Sequence, residues 1–150
     1  MKIKKYILVF LVLFLVSCDK NQENVKRFYG AWTISKFETY LKNSNGNYDL
    51  INTYTDAGFF LLYDRVSNTS NLCSFKIDTN DVSGLMAAVS ATGSSGGCYW
   101  YPLTNDQIDL WHPNTTHIVV GASKKGYNKM EWTFKKDNNK EIYYLSRADV

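Results

Sequence analysis

The sequence predicts an all-β domain, and three observations carry that reading. Trp, Tyr and Phe make up 15% of the 150 residues, enough for bulky rings to dominate a core. Runs of Ala, Leu, Glu and Lys with helical period are missing. Short apolar segments recur instead, cut at regular spacing by Asn, Gly, Asp and Ser, as expected for an antiparallel barrel or sandwich of about eight strands.

The elements follow in order. Trp32 opens a first strand, 32–41, and Asn43-Ser44-Asn45-Gly46-Asn47 turns it, since Asn-Gly tolerates the positive φ that a tight hairpin needs. Strands at 48–55 and 58–64 come next. Segment 72–78 alternates, which places Cys73, Phe75 and Ile77 on one face. A short helical insertion is predicted over 81–92, with Asp81 as N-cap, Val82, Leu85, Met86 and Val89 at helical spacing, and Gly93 as the stop. Gly84 and the lack of a charged face keep a small-residue strand or loop as the alternative. Beyond the glycine- and serine-rich 93–97 lie strands at 98–103, 107–111 and 117–122. Met130, Trp132 and Phe134 then alternate with Glu131, Thr133 and Lys135, the clearest period of two in the chain, and Asp137-Asn138-Asn139 turns into a last strand, 141–147.

The N-terminus predicts location. Lys2, Lys4 and Lys5 precede an unbroken apolar run from Tyr6 to Val16, and Leu15-Val16-Ser17-Cys18 resembles the lipobox of bacterial lipoproteins. A bilayer span needs roughly 20 apolar residues, so this run is too short to be an anchor by itself. The expected organisation is a signal peptide at 1–17, a lipidated Cys18 with a polar tether to residue 27, and one β domain over 28–150. The expected partner of Cys18 is the membrane, with the protein held in the bacterial envelope, at the outer membrane. The acidic residue after the cysteine resembles export signals in some bacteria and retention signals in others, so the leaflet stays open. Acylation with more than one chain gives a durable anchor.

Removal of the three leader lysines turns 17 basic against 14 acidic residues into 14 against 14. A neutral exported domain has no electrostatic footprint for nucleic acid. Once Cys18 is spent on lipid, Cys73 and Cys98 remain, in a compartment where disulfides persist; the spacing allows a bridge or two buried thiols. A bridge would tie off the helical insertion at its two ends.

Gly30-Ala31-Trp32, just after Phe28-Tyr29, resembles the Gly-x-Trp opening of lipocalins and of the lipocalin-like domains of bacterial lipoproteins. Arg147, following Tyr143-Tyr144-Leu145-Ser146, resembles the arginine that packs across that tryptophan in the family. The resemblance covers the two ends of the chain. It implies a lipocalin-like barrel, with a β-sandwich as the alternative, whose base is closed by Gly30, Trp32 and Arg147 in a structural role. One departure is the helix between strands, where lipocalins carry theirs after the last strand.

The function expected of such a barrel is binding of a small hydrophobic or amphipathic molecule, lined by inward Phe59, Leu61, Phe75, Trp111 and Trp132. Tyr99-Trp100-Tyr101 is a second lead, because Tyr99 and Tyr101 face opposite to Trp100 and both faces of that strand carry a ring. The competing class is a surface module for glycan or protein, with a filled barrel and these aromatics at an exposed edge. Catalysis is not expected. No Gly-x-Ser-x-Gly elbow presents a serine, Glu38 and Glu131 do not read as a paired acid and base, and Asp109, His112 and His117 read as an exposed turn rather than a metal site. No cofactor is implied.

Overall fold

The structure, a computed structural model, describes residues 25–64, 71–78, 84–89, 95–113 and 115–148. The leader 1–17, Cys18, the polar residues 19–24, Asp81, Val82 and Gly93 lie outside the described residues.

Eight antiparallel strands run up and down in chain order: β1 (Gly30–Lys42), β2 (Tyr48–Leu62), β3 (Asn71–Ile77), β4 (Ser95–Pro102), β5 (Gln107–Trp111), β6 (Ile118–Lys124), β7 (Lys129–Lys136) and β8 (Asn139–Arg147). β8 pairs back onto β1 from Trp32↔Arg147 to Leu41↔Asn139, so the sheet closes on itself. The sandwich alternative is thereby excluded. One helix, α1 (Gly84–Val89), lies between β3 and β4, within the segment whose periodicity predicted it.

Period-two alternation decides what fills the barrel. Trp32, Phe60, Phe75, Trp100, Trp132 and Tyr143 are all buried and share the axis with Leu110, Val120, Met130 and Leu145. Tilted and stacked rings fill the middle: Phe60 lies 4.5 Å from Trp132, and Phe37 4.6 Å from Tyr143. Aromatic pairs favour such offset and inclined geometries because their quadrupoles repel face to face.

Two corrections concern β2. The segments 48–55 and 58–64 are one strand, not two. What looked like a break is a kink, where Asp56 takes a φ of 51° and Gly58 one of 127°, and the β1 register slips between Ile34↔Gly58 and Lys36↔Thr55. Gly58 is required twice over: its φ suits glycine, and a Cβ there would collide with the Lys76 carbonyl. The second correction is phase. Phe59 and Leu61 point outward, with Phe60 and Leu62 inside. Four apolar residues in a row carry no alternation, so the phase comes from the neighbour: Phe60 pairs with Phe75 and Leu62 with Cys73, and opposite residues share a face.

The base of the barrel is sealed by a helical turn at 25–28, from which Phe28 inserts with no exposed surface. Trp32 Nε1 donates to the Phe28 carbonyl at 2.8 Å. The Arg147 guanidinium lies 5.0 Å from the Trp32 ring and donates to the Tyr29 carbonyl at 3.1 Å. Gly30 lies against this guanidinium at a φ of 129°, a backbone conformation that L side chains rarely adopt.

The mouth is plugged by α1, which buries Leu85, Met86 and Val89. Its exposed N–H groups need acceptors. Buried Glu141 supplies them from β8, accepting from Gly84 N at 2.5 Å and Leu85 N at 3.0 Å, while the Tyr143 hydroxyl donates to it at 2.6 Å. Across the base of the same excursion, Cys73 and Cys98 sit directly opposite one another on β3 and β4, 4.9 Å apart at Cα, and are disulfide-bonded.

Candidate functional site

The predicted ligand-binding residues fall on two sides of the sheet. Phe75, Trp100 and Trp132 face the axis, where they pack against other side chains. Phe59, Leu61, Tyr99, Tyr101 and Trp111 face outward. Trp111 is thus a second error of phase. The signal was present, since polar Gln107 and Asp109 bracket Ile108 and assign Ile108 and Leu110 to the core.

Outward on β4 and β5, cross-strand pairing sets Tyr99 against Trp111 and Tyr101 against Asp109. The Tyr99 and Trp111 rings stack at 5.8 Å and 24°, and His117, entering β6, stacks on Trp111 at 4.6 Å and 19°. His117 Nδ1 lies 2.6 Å from Asp109 Oδ2. A carboxylate held against Nδ1 leaves Nε2 as the free edge of the ring. The Asp109 carboxylate is largely shielded, 14% exposed, whereas His117 stands 62% exposed at the end of the stack.

Sequence reading missed what lies beside that imidazole. A groove of about 580 Å³ opens at the mouth, between α1, the β5–β6 connection and the end of β7. Ala88, Ile118, Val119 and Phe134 supply apolar surface; Thr116, Lys135 and Lys136 supply hydrogen-bond donors, and Thr115 and His117 complete the lining. A volume of about 300–1,000 Å³ is usual for small-molecule sites. The residues come from three separate segments, and only the closed topology brings them together. His112 stands apart: its backbone N–H and carbonyl bond the Thr115 hydroxyl at 2.9 and 3.1 Å. Among the described residues no three His, Cys, Asp or Glu side chains are grouped as metal ligands would be.

A second polar cluster lies on the outer face of β1 and β8. Glu38 is 7% exposed and accepts from Tyr40 Oη at 2.7 Å, Lys36 Nζ at 2.9 Å and Tyr144 Oη at 2.9 Å. Lys36 also sits 3.9 Å over the Tyr144 ring. Burial alone would raise the Glu38 pKa, but the three hydrogen bonds and the Lys36 charge outweigh it and hold the carboxyl below its ordinary range. Tyr40 is pushed up to about 12, first by its bond to Glu38 and then by burial. Burial and the same carboxylate raise Tyr144 as well.

Glu38 has a lowered folded-state pKa, so its contribution is present above the ordinary carboxyl pKa and is lost as pH falls through the lowered one. The phenols have raised values, so theirs is present below the ordinary 10.0 and is lost as pH rises toward about 12. Denaturant midpoints across pH should therefore fall at both extremes. Glu38→Gln should flatten the acid arm by part of its slope; an unchanged acid arm in that variant would contradict the assignment.

No family model and no curated protein sequence matches the chain. Among solved structures it is similar to a redesigned beta barrel, at 13% identity and a TM-score of 0.45, over 84% of this chain and 96% of that one.

Proposed function

We propose that the protein is a lipid-anchored envelope lipoprotein with a lipocalin-like barrel that binds a small amphipathic molecule in the groove at its mouth. The observation that carries the reading is the groove itself, whose lining combines apolar side chains with hydrogen-bond donors, beside a barrel axis occupied by its own aromatic side chains. The lipocalin-like part is supported by the packing of Arg147 across Trp32 above Gly30. The Thr115 hydroxyl is spent on the His112 backbone, which favours binding over nucleophilic chemistry at this site. A surface module for glycan or protein is the second reading, and the filled axis together with outward Tyr99, Tyr101 and Trp111 favours it.

Two experiments test the proposal. Cys18→Ala should release the protein from membranes; a variant that still fractionates with membranes after high-salt washing and has the mature mass would end the lipoprotein reading. For the groove, anilinonaphthalene sulfonate is a suitable amphipathic probe. Its fluorescence should rise on binding the wild type, and Ala88→Trp, which fills the groove from half-buried α1, should weaken that binding at least tenfold without moving the unfolding midpoint. Equal binding by both proteins would assign the probe to another surface and favour the second reading.

A further inference from the structure

We infer that the base of the barrel is a membrane-docking face for anionic lipid head groups, which rests on the proposed acylation of Cys18. Six basic residues gather at this end: Lys26 and Arg27 in the first helical turn, Lys124 and Lys125 at the end of β6, Lys129 at the start of β7, and Arg147 at the end of β8. The described carboxylates there are Asp64 after β2, Asp106, whose carboxylate accepts from Thr104 at 2.6 Å, and Glu131, which reaches Lys125 at 3.8 Å. Arg27, Lys124, Lys129 and Arg147 have no carboxylate partner among the described residues.

The cations converge on one ring. Tyr127, 76% exposed in the β6–β7 turn, has Lys124 Nζ at 5.6 Å and the Arg147 guanidinium at 5.6 Å from its centre. A tyrosine flanked by cations suits a membrane interface, where an aromatic ring sits among head groups and ammonium groups meet phosphates. Arg27 Nε and Arg147 Nε are buried without an acceptor among the described residues. Burial, then the charges of Arg147 and Arg27, lower the Lys124 pKa, so this end carries like-charge repulsion that an anion would relieve.

Chain connectivity selects the occupant. Val25 is the first described residue of the helical turn in the base, and Cys18 lies only seven residues earlier, a reach of at most about 25 Å. An acyl chain at Cys18 therefore holds the base, not the mouth, within range of the bilayer. The acyl chains supply the attachment, and the basic surface sets which face meets the head groups. Docked this way, the groove beside α1 faces away from the membrane, open to ligand.

The test uses the mature acylated protein in nanodiscs, either phosphatidylcholine alone or with phosphatidylglycerol added, and a lipid carrying a head-group spin label. With phosphatidylglycerol, the amide signals of Gly126, Tyr127 and Lys129 should broaden severalfold more than that of Gly46 in the opposite hairpin, and added salt should reverse the difference. Lys124→Gln, Lys125→Gln and Lys129→Gln combined should abolish it, with the disc-bound fraction unchanged. Equal broadening of Gly126 and Gly46, or equal broadening in both lipid mixtures, would overturn the docking face while leaving the anchor intact. A mature mass without acyl chains would overturn the anchor instead, and the docking with it.

Discussion

Trp32→Ala should move the denaturant midpoint of the domain far below that of the wild type. The ring is fully buried, its N–H is bonded to Phe28, and Arg147 lies across its face, so the substitution opens a large cavity and strands a guanidinium. Truncating a buried Trp costs about 3–5 kcal/mol, against a total stability of about 5–15 kcal/mol for an ordinary domain. Arg147→Ala should cost less, because the indole keeps its other contacts, and its main sign should be a red shift of tryptophan emission. A Trp32→Ala variant that unfolds at the wild-type denaturant concentration would remove the base from the list of stabilising features.

Loss of the disulfide should be nearly as severe. The bond joins two buried residues at directly opposed positions, with a sequence separation of 25 that contains α1. Closing a loop of that length restricts the unfolded chain by about 3.5 kcal/mol in the entropy model. Cys73→Ala with Cys98→Ala adds two small cavities in a well-packed interior. The double variant should therefore melt far below the wild type, and reductant should lower the midpoint of the wild type but not of the variant. Intact mass after alkylation without reductant gives the companion check: two modified cysteines in freshly isolated protein would contradict the bond.

The barrel was legible in the sequence because its strands repeat two simple signals. Met130, Trp132 and Phe134 on one face, and the Asn-Gly turn at 45–46, translate directly into β7 and the β1–β2 hairpin. Pairing also followed wherever alternation was clean, as in Cys73, Phe75 and Ile77. Phase failed where alternation was absent: Phe59-Phe60-Leu61-Leu62 reads the same on either face, and only pairing with β3 decides it. The length of β2 was hidden because Asp56 and Gly58 look like a loop until the bulge across from Ser35 is seen. Asp81 reads as a cap at the start of the helical segment, yet the donors of α1 at Gly84 and Leu85 are met by Glu141, a residue 57 positions from Gly84.

The site was less legible than the fold. Tyr99, Trp111 and Asp109 stood out as residue types, but their meeting with His117 depends on β4, β5 and β6 being neighbours on one outer face. The groove beside them is assembled from α1, the β5–β6 connection with the start of β6, and β7, with 27 positions from Ala88 to Thr115 and 15 from Val119 to Phe134. No local pattern encodes such a meeting. The aromatic richness that suggested a lined cavity describes a packed axis.

Amide chemical-shift mapping with anilinonaphthalene sulfonate tests the central claim most directly. With the ligand site at the mouth, shifts should concentrate on Ala88, Thr116, His117, Val119 and Lys136, while Phe75, Leu110 and the Trp100 indole signal stay in place. Shifts concentrated on Phe75, Leu110 and the Trp100 indole would put the ligand inside the barrel and contradict the account.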